Sequence, residues 1–341
     1  RLEHVTDKPG LKHAEISAHE IDPRHTQNPE YTYLKGDLTD SYTDKVQKYT
    51  RSFMFLDLKD ADIPAALIVF DYVKSSDKTF KKTWLLHSLQ KPVINDGSTV
   101  FENTLSNGEE DYSGKMELKT LLPLSGNLNR TIVGGEDEGF GIINQYKYQN
   151  GEWKITESKN YSADNTEGTE SNTYRLEVSP KTVAEEDYFL NIITVGDSGK
   201  DISVSAPLIN TDGFYGTIVK DRAVFFGKNK GDNTAFAATL PGGSYKYTIC
   251  DMQQGEYAVI AGGKAQTVYA SADGGVLSFE ASGGKINVIK TGTAYKAPAD
   301  APYTTEESTV YVKKGSRFLK QALAEFDEEN ISVSVGVFAD T

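Results

Sequence analysis

The chain has 341 residues and a formal net charge of −13. That charge excludes nucleic acid and anionic membranes as partners held by bulk electrostatics, but a local Lys/Arg groove in an acidic protein can still take an anionic polysaccharide. The apolar share is 38%, with 19 Tyr, 15 Phe and 30 Gly, which points to an all-β chain of two units plus a tail. No apolar run of roughly 18 residues occurs, so no transmembrane helix is expected. The single cysteine, Cys250, has no internal disulfide partner and is expected as a small buried hydrophobe in a strand.

Residues 1–30 are polar and hold His4, His13, His19 and His25. None of their spacings matches a compact metal-binding pair, so they are expected as solvated residues and no metal ligand is assigned. Tyr31–Thr39 and Tyr49–Leu56 follow. In the second run Phe53 and Phe55 alternate with Met54 and Leu56, the period of a strand. Ala65–Val73 and Phe80–Ser88 then flank the polar connector Lys74–Lys78 and predict an antiparallel hairpin. Asp71 and His87 sit among apolar neighbours there, and a buried polar group needs a partner.

From Lys91 to about Val195 short strands alternate with Gly/Asn/Asp loops, without helices between them, which predicts a large antiparallel β-sandwich. Candidate strands are Thr99–Thr104, Gly114–Leu122, Asn129–Val133, Phe140–Tyr148, Asn172–Val178 and Tyr188–Val195. Residues 202–290 carry shorter strands, beginning with Ile202–Ala206. The pairs Gly242-Gly243, Gly262-Gly263, Gly274-Gly275 and Gly283-Gly284 read as hairpin turns of a smaller β-sandwich. The expected division is 1–198 for the large sandwich, 199–295 for the smaller one and 296–341 for a linker and short α/β tail. In that tail Phe318, Leu319, Ala322, Leu323 and Phe326 mark an amphipathic helix.

No nucleophile elbow, P-loop, dinucleotide fingerprint or H-E-x-x-H motif is present, and no catalytic residue is assigned. Three residues are candidates for substrate binding. His87 reads as an imidazole that binds a sugar carboxylate or sulfate, or shuttles a proton, or else as a core histidine bonded to a neighbouring strand. Lys81 and Lys82 alternate across a strand, so one should face solvent or a groove, and Lys82 is taken as the candidate. Trp153 follows the turn dipeptide Asn150-Gly151 and is expected to be exposed for sugar stacking, while Trp84 reads as core. Arg51 and Arg175 are expected in structural ion pairs with carboxylates such as Asp37 or Glu177.

A family resemblance rests on residues in a fixed order. Tyr31–Thr39, Arg51-Ser52-Phe53, Ile68-Val69-Phe70-Asp71, Lys82–Ser88, Leu121-Leu122-Pro123, Val133-Gly134-Gly135, Arg175–Pro180 and Asp187–Asn191 together resemble the β-sandwich region of heparinase II/III-type polysaccharide lyases. The resemblance covers about residues 10–290. It implies a secreted or cell-surface bacterial protein that acts on acidic polysaccharide by β-elimination. It also implies an N-terminal α/α-toroid as partner. Asp- and Asn-rich loops such as Asp164–Glu170 permit calcium without specifying it, and a divalent cation, Ca or Zn, is the one cofactor considered for the full-length protein. The family's Gly-His-x-His and His-Asn motifs do not occur here. The chain, read as a fragment or processed product, is therefore expected to begin after them and to be inactive alone. Two other readings stand beside the lyase: a non-catalytic glycan-binding module, and a structural cell-surface sandwich.

Overall fold

The computed structural model describes residues 14–106, 111–135, 142–160, 174–228 and 233–299. Among them every extended element is a strand, and the only helical segments are two single 3-10 turns. The all-β expectation holds. The expected tail helix, His4 and His13, and the Asp164–Glu170 loop lie outside the described residues.

The strands β1 (Glu15–Ile21), β2 (Tyr31–Asp37), β3 (Val46–Asp57) and β4 (Ala65–Ser75) form an antiparallel meander. The chain then leaves for another layer through β5 (Trp84–Ser88) and returns as β6 (Val93–Ile94), β7 (Thr99–Ser106) and β8 (Asp111–Leu122). Next come β9 (Leu128–Gly134), the separate hairpin of β10 (Ile142–Gln149) and β11 (Glu152–Asn160), β12 (Tyr174–Pro180) and β13 (Glu186–Asp197). The eight-stranded sheet runs in the order β1-β2-β3-β4-β13-β8-β7-β6, and a three-stranded layer, β5-β12-β9, lies against it.

Side-chain alternation gives β4 and β13 two apolar faces. Phe189 and Ile193 meet Trp84, Leu176 and Val178 of the small layer. Ile68, Phe70, Leu190 and Ile192 point the other way. The predicted hairpin of Ala65–Val73 with Phe80–Ser88 does not form. β4 pairs with β3 and β13, and β5 pairs with β12. An alternating strand reads the same whether its partner lies beside it in the sheet or faces it across a core. Here the two runs face each other.

The last seven strands are β14 (Leu208–Asn210), β15 (Phe214–Val219), β16 (Arg222–Gly227), β17 (Ala235–Ile249), β18 (Gly255–Ala261), β19 (Lys264–Ala270) and β20 (Leu277–Gly292). They form one sheet, β14-β15-β16-β17-β20-β18-β19, with β16 and β17 parallel and the rest antiparallel. Ile202–Ala206, predicted as a strand, joins no ladder, although Ile202 and Val204 are buried.

Of the four predicted glycine hairpin turns, Gly262-Gly263 joins the paired strands β18 and β19, Gly274-Gly275 connects β19 to β20, which are not neighbours, and the other two are bends. β17 and β20 stay paired across Leu240–Ser244, where the register shifts, and Gly283 faces Pro241 there. A Cβ on Gly283 would lie 1.9 Å from the Pro241 carbonyl oxygen, so this close backbone approach requires glycine. The bend folds the sheet over its own concave face. Phe225 of β16 and Phe236 of β17 thereby meet edge to face at 4.6 Å. The outward side of the same sheet contributes Val219, Val224, Phe226 and Cys250 to a core shared with Tyr33, Met54, Leu56 and Ile68 of the eight-stranded sheet. Strands on both sides of residues 198 and 199 thus fill one common core, and the described residues up to 299 form one compact unit.

Candidate functional site

A groove of about 720 Å³ opens where β1–β4 and β13 meet the segment that follows β17. Four lysines line it: Lys35 of β2, Lys48 of β3, Lys74 of β4 and Lys228 after β16. Its floor is made of small residues, including Ala18, Gly227, Gly274 and Gly275, so backbone lies close to the opening.

Lys35 is fixed by the shared core. Tyr33 and Lys35 lie on one face of β2, and both reach Asp251 on the other sheet. The Lys35 Nζ to Asp251 Oδ1 distance is 2.5 Å, and the Tyr33 hydroxyl donates to the same oxygen at 3.3 Å. Oδ2 of Asp251 accepts from the Gly227 N–H at 3.0 Å. Asp251 itself has φ of +62°, a conformation that few residues other than Gly, Asn and Asp adopt.

The other lysines are held more loosely. Lys48 donates to Asp37 on the neighbouring strand, and Lys74 pairs with Glu186 at 3.0 Å. Burial pushes the Asp37 carboxyl up, but hydrogen bonds from Lys48 and Thr39 outweigh it and hold the group below its usual range. Lys228 bonds to backbone oxygen of Thr211 and sits 4.6 Å over the Tyr215 ring. The side chains of Lys48 and Lys74 are 45% and 36% exposed, so their ion pairs are solvent-screened, exchangeable surface pairs that add little to stability. An incoming sulfate or carboxylate can replace Asp37 and Glu186 at small cost. Tyr72, tilted against Tyr188 at 5.1 Å, adds a flat apolar wall.

None of the three predicted binding residues lines this groove. Lys82 is buried: its ammonium pairs with Asp187 at 3.0 Å and donates to the Ala184 carbonyl at 2.6 Å. Its charge is spent anchoring the crossover between layers. Trp153 is half-buried on β11, with its indole N–H donating to the Pro180 carbonyl at 3.2 Å and its ring edge-on to Tyr148 at 5.1 Å. His87 is exposed on β5, opposite Arg175 of β12 in the register. All three belong to the small-layer side of the eight-stranded sheet. Lys35, Lys48, Lys74 and Lys228 escaped sequence reasoning because only strand register and sheet packing bring them together. The one available signal was Tyr33 and Lys35 sharing a strand face.

The expected arginine pairs are present. Arg175 pairs with Glu177 at 2.8 Å, and Arg51 takes Asp71 at 2.6 Å rather than Asp37. Burial pushes the Asp71 carboxyl up against the pull of Arg51.

Among the described residues one group has donor atoms close enough to hold a cation. Asp22, His25 and Glu30 place theirs within 4.8 Å of one another. The fit is poor. Both Glu30 oxygens already bind Lys246, at 2.5 and 2.6 Å, and Asp22 Oδ2 lies 2.7 Å from His25 Nδ1. This is a closed ion-pair network that joins the two sheets.

Residues 208–290, from β14 to nearly the end of β20, match the family described as the heparinase II C-terminal domain. The chain carries a heparinase-type C-terminal region. Among solved structures it is similar to a mutant heparan sulfate lyase from Pedobacter heparinus, at 11% identity and TM-score 0.34 over 62% of this chain. It is also similar to a heparinase III, at 10% identity and TM-score 0.32 over 62%. A methylated-lysine heparinase III follows at 10% identity and TM-score 0.30 over 75%. The chain covers only 27%, 26% and 26% of the length of these three, and the family match, not the superpositions, carries the assignment. No curated protein matches the sequence. No helix among the described residues is long and apolar enough to cross a membrane.

Proposed function

We propose that this chain is the C-terminal β portion of a heparinase-like polysaccharide lyase. The whole protein would cleave uronic-acid-containing glycans by β-elimination, at the cell surface or outside a bacterial cell. The match of residues 208–290 to the heparinase II C-terminal domain is the observation that carries this reading. In that reaction a base removes the C5 proton beside a charge-neutralised carboxylate and an acid protonates the leaving oxygen. An α/α-toroid N-terminal to these residues would supply both groups. The residues described here would support that toroid and offer the lysine groove as one wall of the cleft, where Lys48 and Lys74 hold acidic groups of the glycan.

The competing reading is a non-catalytic glycan-binding module, favoured by the presence of the groove without the family's catalytic motifs. One assay separates the two: absorbance of unsaturated uronate on heparan sulfate, hyaluronan, chondroitin and alginate, with this chain and with the full-length protein. The lyase reading expects turnover only in the full-length protein. No turnover in either, with binding retained, supports the module. Turnover by this chain alone overturns the claim that its catalytic groups lie elsewhere.

A further inference from the structure

Two of the groove lysines stand side by side. Lys48 of β3 is the direct cross-strand partner of Lys74 of β4, and both line the groove together with Thr50 and Tyr72 of the next residue pair along the same two strands. Like charges directly opposite one another in a sheet are destabilising, so this pair needs anions. Two carboxylates supply them from the outer sides. Asp37 of β2 takes Lys48, and Glu186 of β13, the register partner of Lys74, takes Lys74 at 3.0 Å. The neighbouring strands β2, β3, β4 and β13 thus carry a row of charges at the groove: negative, positive, positive, negative.

The compensation is nearly complete. Four lysines line the groove against three carboxylates, Asp37, Glu186 and Asp251. These carboxylates serve two different ends. Asp251 closes Lys35 in a buried pair, with side chains 3% and 12% exposed, which no ligand reaches without unpacking the core between the sheets. Asp37 and Glu186 are 29% and 45% exposed, so water screens their pairs and another anion can take their place. The two lysines that a ligand can reach most easily are therefore the two that already hold a replaceable anion.

We propose that Asp37 and Glu186 are built-in competitors for the ligand of this groove: they keep the Lys48–Lys74 pair closed until an acidic glycan displaces them. This inference rests on the groove being an acidic-glycan site. A tethered carboxylate competes at an effective concentration of about millimolar, so it weakens binding at each lysine. A glycan that brings several acidic groups into the groove at once displaces both carboxylates and is held by both ammoniums. As the glycan leaves, the carboxylates return to the lysines, and the row is again neutral.

The test is a calorimetric titration of the 341-residue chain with a heparin-derived tetrasaccharide at low salt. Glu186→Gln and Asp37→Asn each remove one competitor. Asp197→Asn, at the opposite end of β13 from Glu186, makes the same charge change away from the groove. Each groove substitution should tighten binding about threefold or more, the scale of one like charge removed near 4 Å in water, while the control should change it less than about twofold. The gain should vanish when Lys48→Gln and Lys74→Gln are added. Asp37 also accepts from the Thr39 amide and hydroxyl, so Glu186→Gln decides alone if Asp37→Asn lowers the melting temperature. Binding that needs the two lysines but ignores the two carboxylates, that weakens when they are neutralised, or that tightens equally in Asp197→Asn overturns the proposal and leaves the groove standing. No binding by the unchanged chain or by any variant overturns both.

Discussion

Tyr33 and Asp251 lie 218 positions apart, and the Tyr33 hydroxyl donates to the Asp251 carboxylate at 3.3 Å inside the core that joins the two large sheets. Asp251 also takes Lys35 and the Gly227 N–H. Replacing Asp251 with Ala strands an ammonium, a hydroxyl and an amide together. The expected loss is about 3–5 kcal/mol, the usual result of breaking a buried ion pair. Tyr33→Phe removes one neutral-donor bond and should cost about 1 kcal/mol. Urea unfolding followed by circular dichroism measures both. A loss under 1 kcal/mol for Asp251→Ala would show that water replaces the carboxylate.

Gly283→Ala tests the bend that folds the C-terminal sheet over itself. The added methyl would meet the Pro241 carbonyl, so a loss of at least about 1–3 kcal/mol is expected. Gly242→Ala is the matched control, since its Cβ meets nothing within 4 Å and its φ is not positive. A thermal melt that gives equal shifts for both would mean the strands move apart freely at this point.

The double variant Lys48→Gln, Lys74→Gln separates binding from folding. Both lysines sit in exposed, solvent-screened pairs, so the melting temperature should stay essentially unchanged. Heparin retention should fall, and its sensitivity to salt should flatten, because screening acts only on the charges that remain. Retention equal to that of the unchanged protein would remove the groove from the binding surface.

Lys82→Met is expected to do the reverse. It leaves Asp187, already pushed up by burial, without its cation, and about 3–5 kcal/mol should be lost. Heparin retention of the folded fraction should not change. A heparin defect without a stability defect would restore Lys82 as a ligand contact.

Alkaline titration reads the tyrosines. Burial, and the hydrogen bond to Glu177, push the Tyr146 phenol up to about 12; burial first, then neighbouring Tyr72 and Tyr215, does the same for Tyr188. An unfolded tyrosine ionises near 10. Between about pH 10 and 12 the folded chain therefore holds protons that the unfolded chain has released. Stability is complete below pH 10 and is lost as pH rises through this window. Ultraviolet absorbance of phenolate should show a late-ionising class that shrinks in Tyr146→Phe. A single ionisation near 10 in the folded protein would contradict the assignment.

The sequence made strands legible because alternation is local: Met54 and Leu56 against Phe53 and Phe55 needed only neighbours. It did not show what each face would meet. Trp84 read correctly as core, yet its strand was paired with the wrong partner, because a facing layer and an adjacent strand demand the same pattern. Gly283 looked like a turn because glycine marks both turns and close backbone crossings. Lys82 and the four groove lysines were indistinguishable from one another in sequence. Burial beside Asp187 separates the first from the rest, and that is a fact about residue 187 and the layer it builds. β11 was missed because Glu152, Lys154, Thr156, Glu157 and Ser158 are polar and exposed, leaving only Trp153 and the exposed Ile155 as apolar residues.

The shared core between the sheets limits how the family region can be handled. Val219, Val224 and Phe226 lie within residues 208–290, yet they belong to one core cluster with Tyr33, Met54 and Ile68. Cut out at residues 208–290, this region would carry a bare greasy face into water. It would need a host sheet with the same relief as Tyr33, Met54 and Ile68. Grafts onto a related protein should therefore take β1 to β20 as a single piece, with the join placed upstream of Glu15 rather than near residue 200.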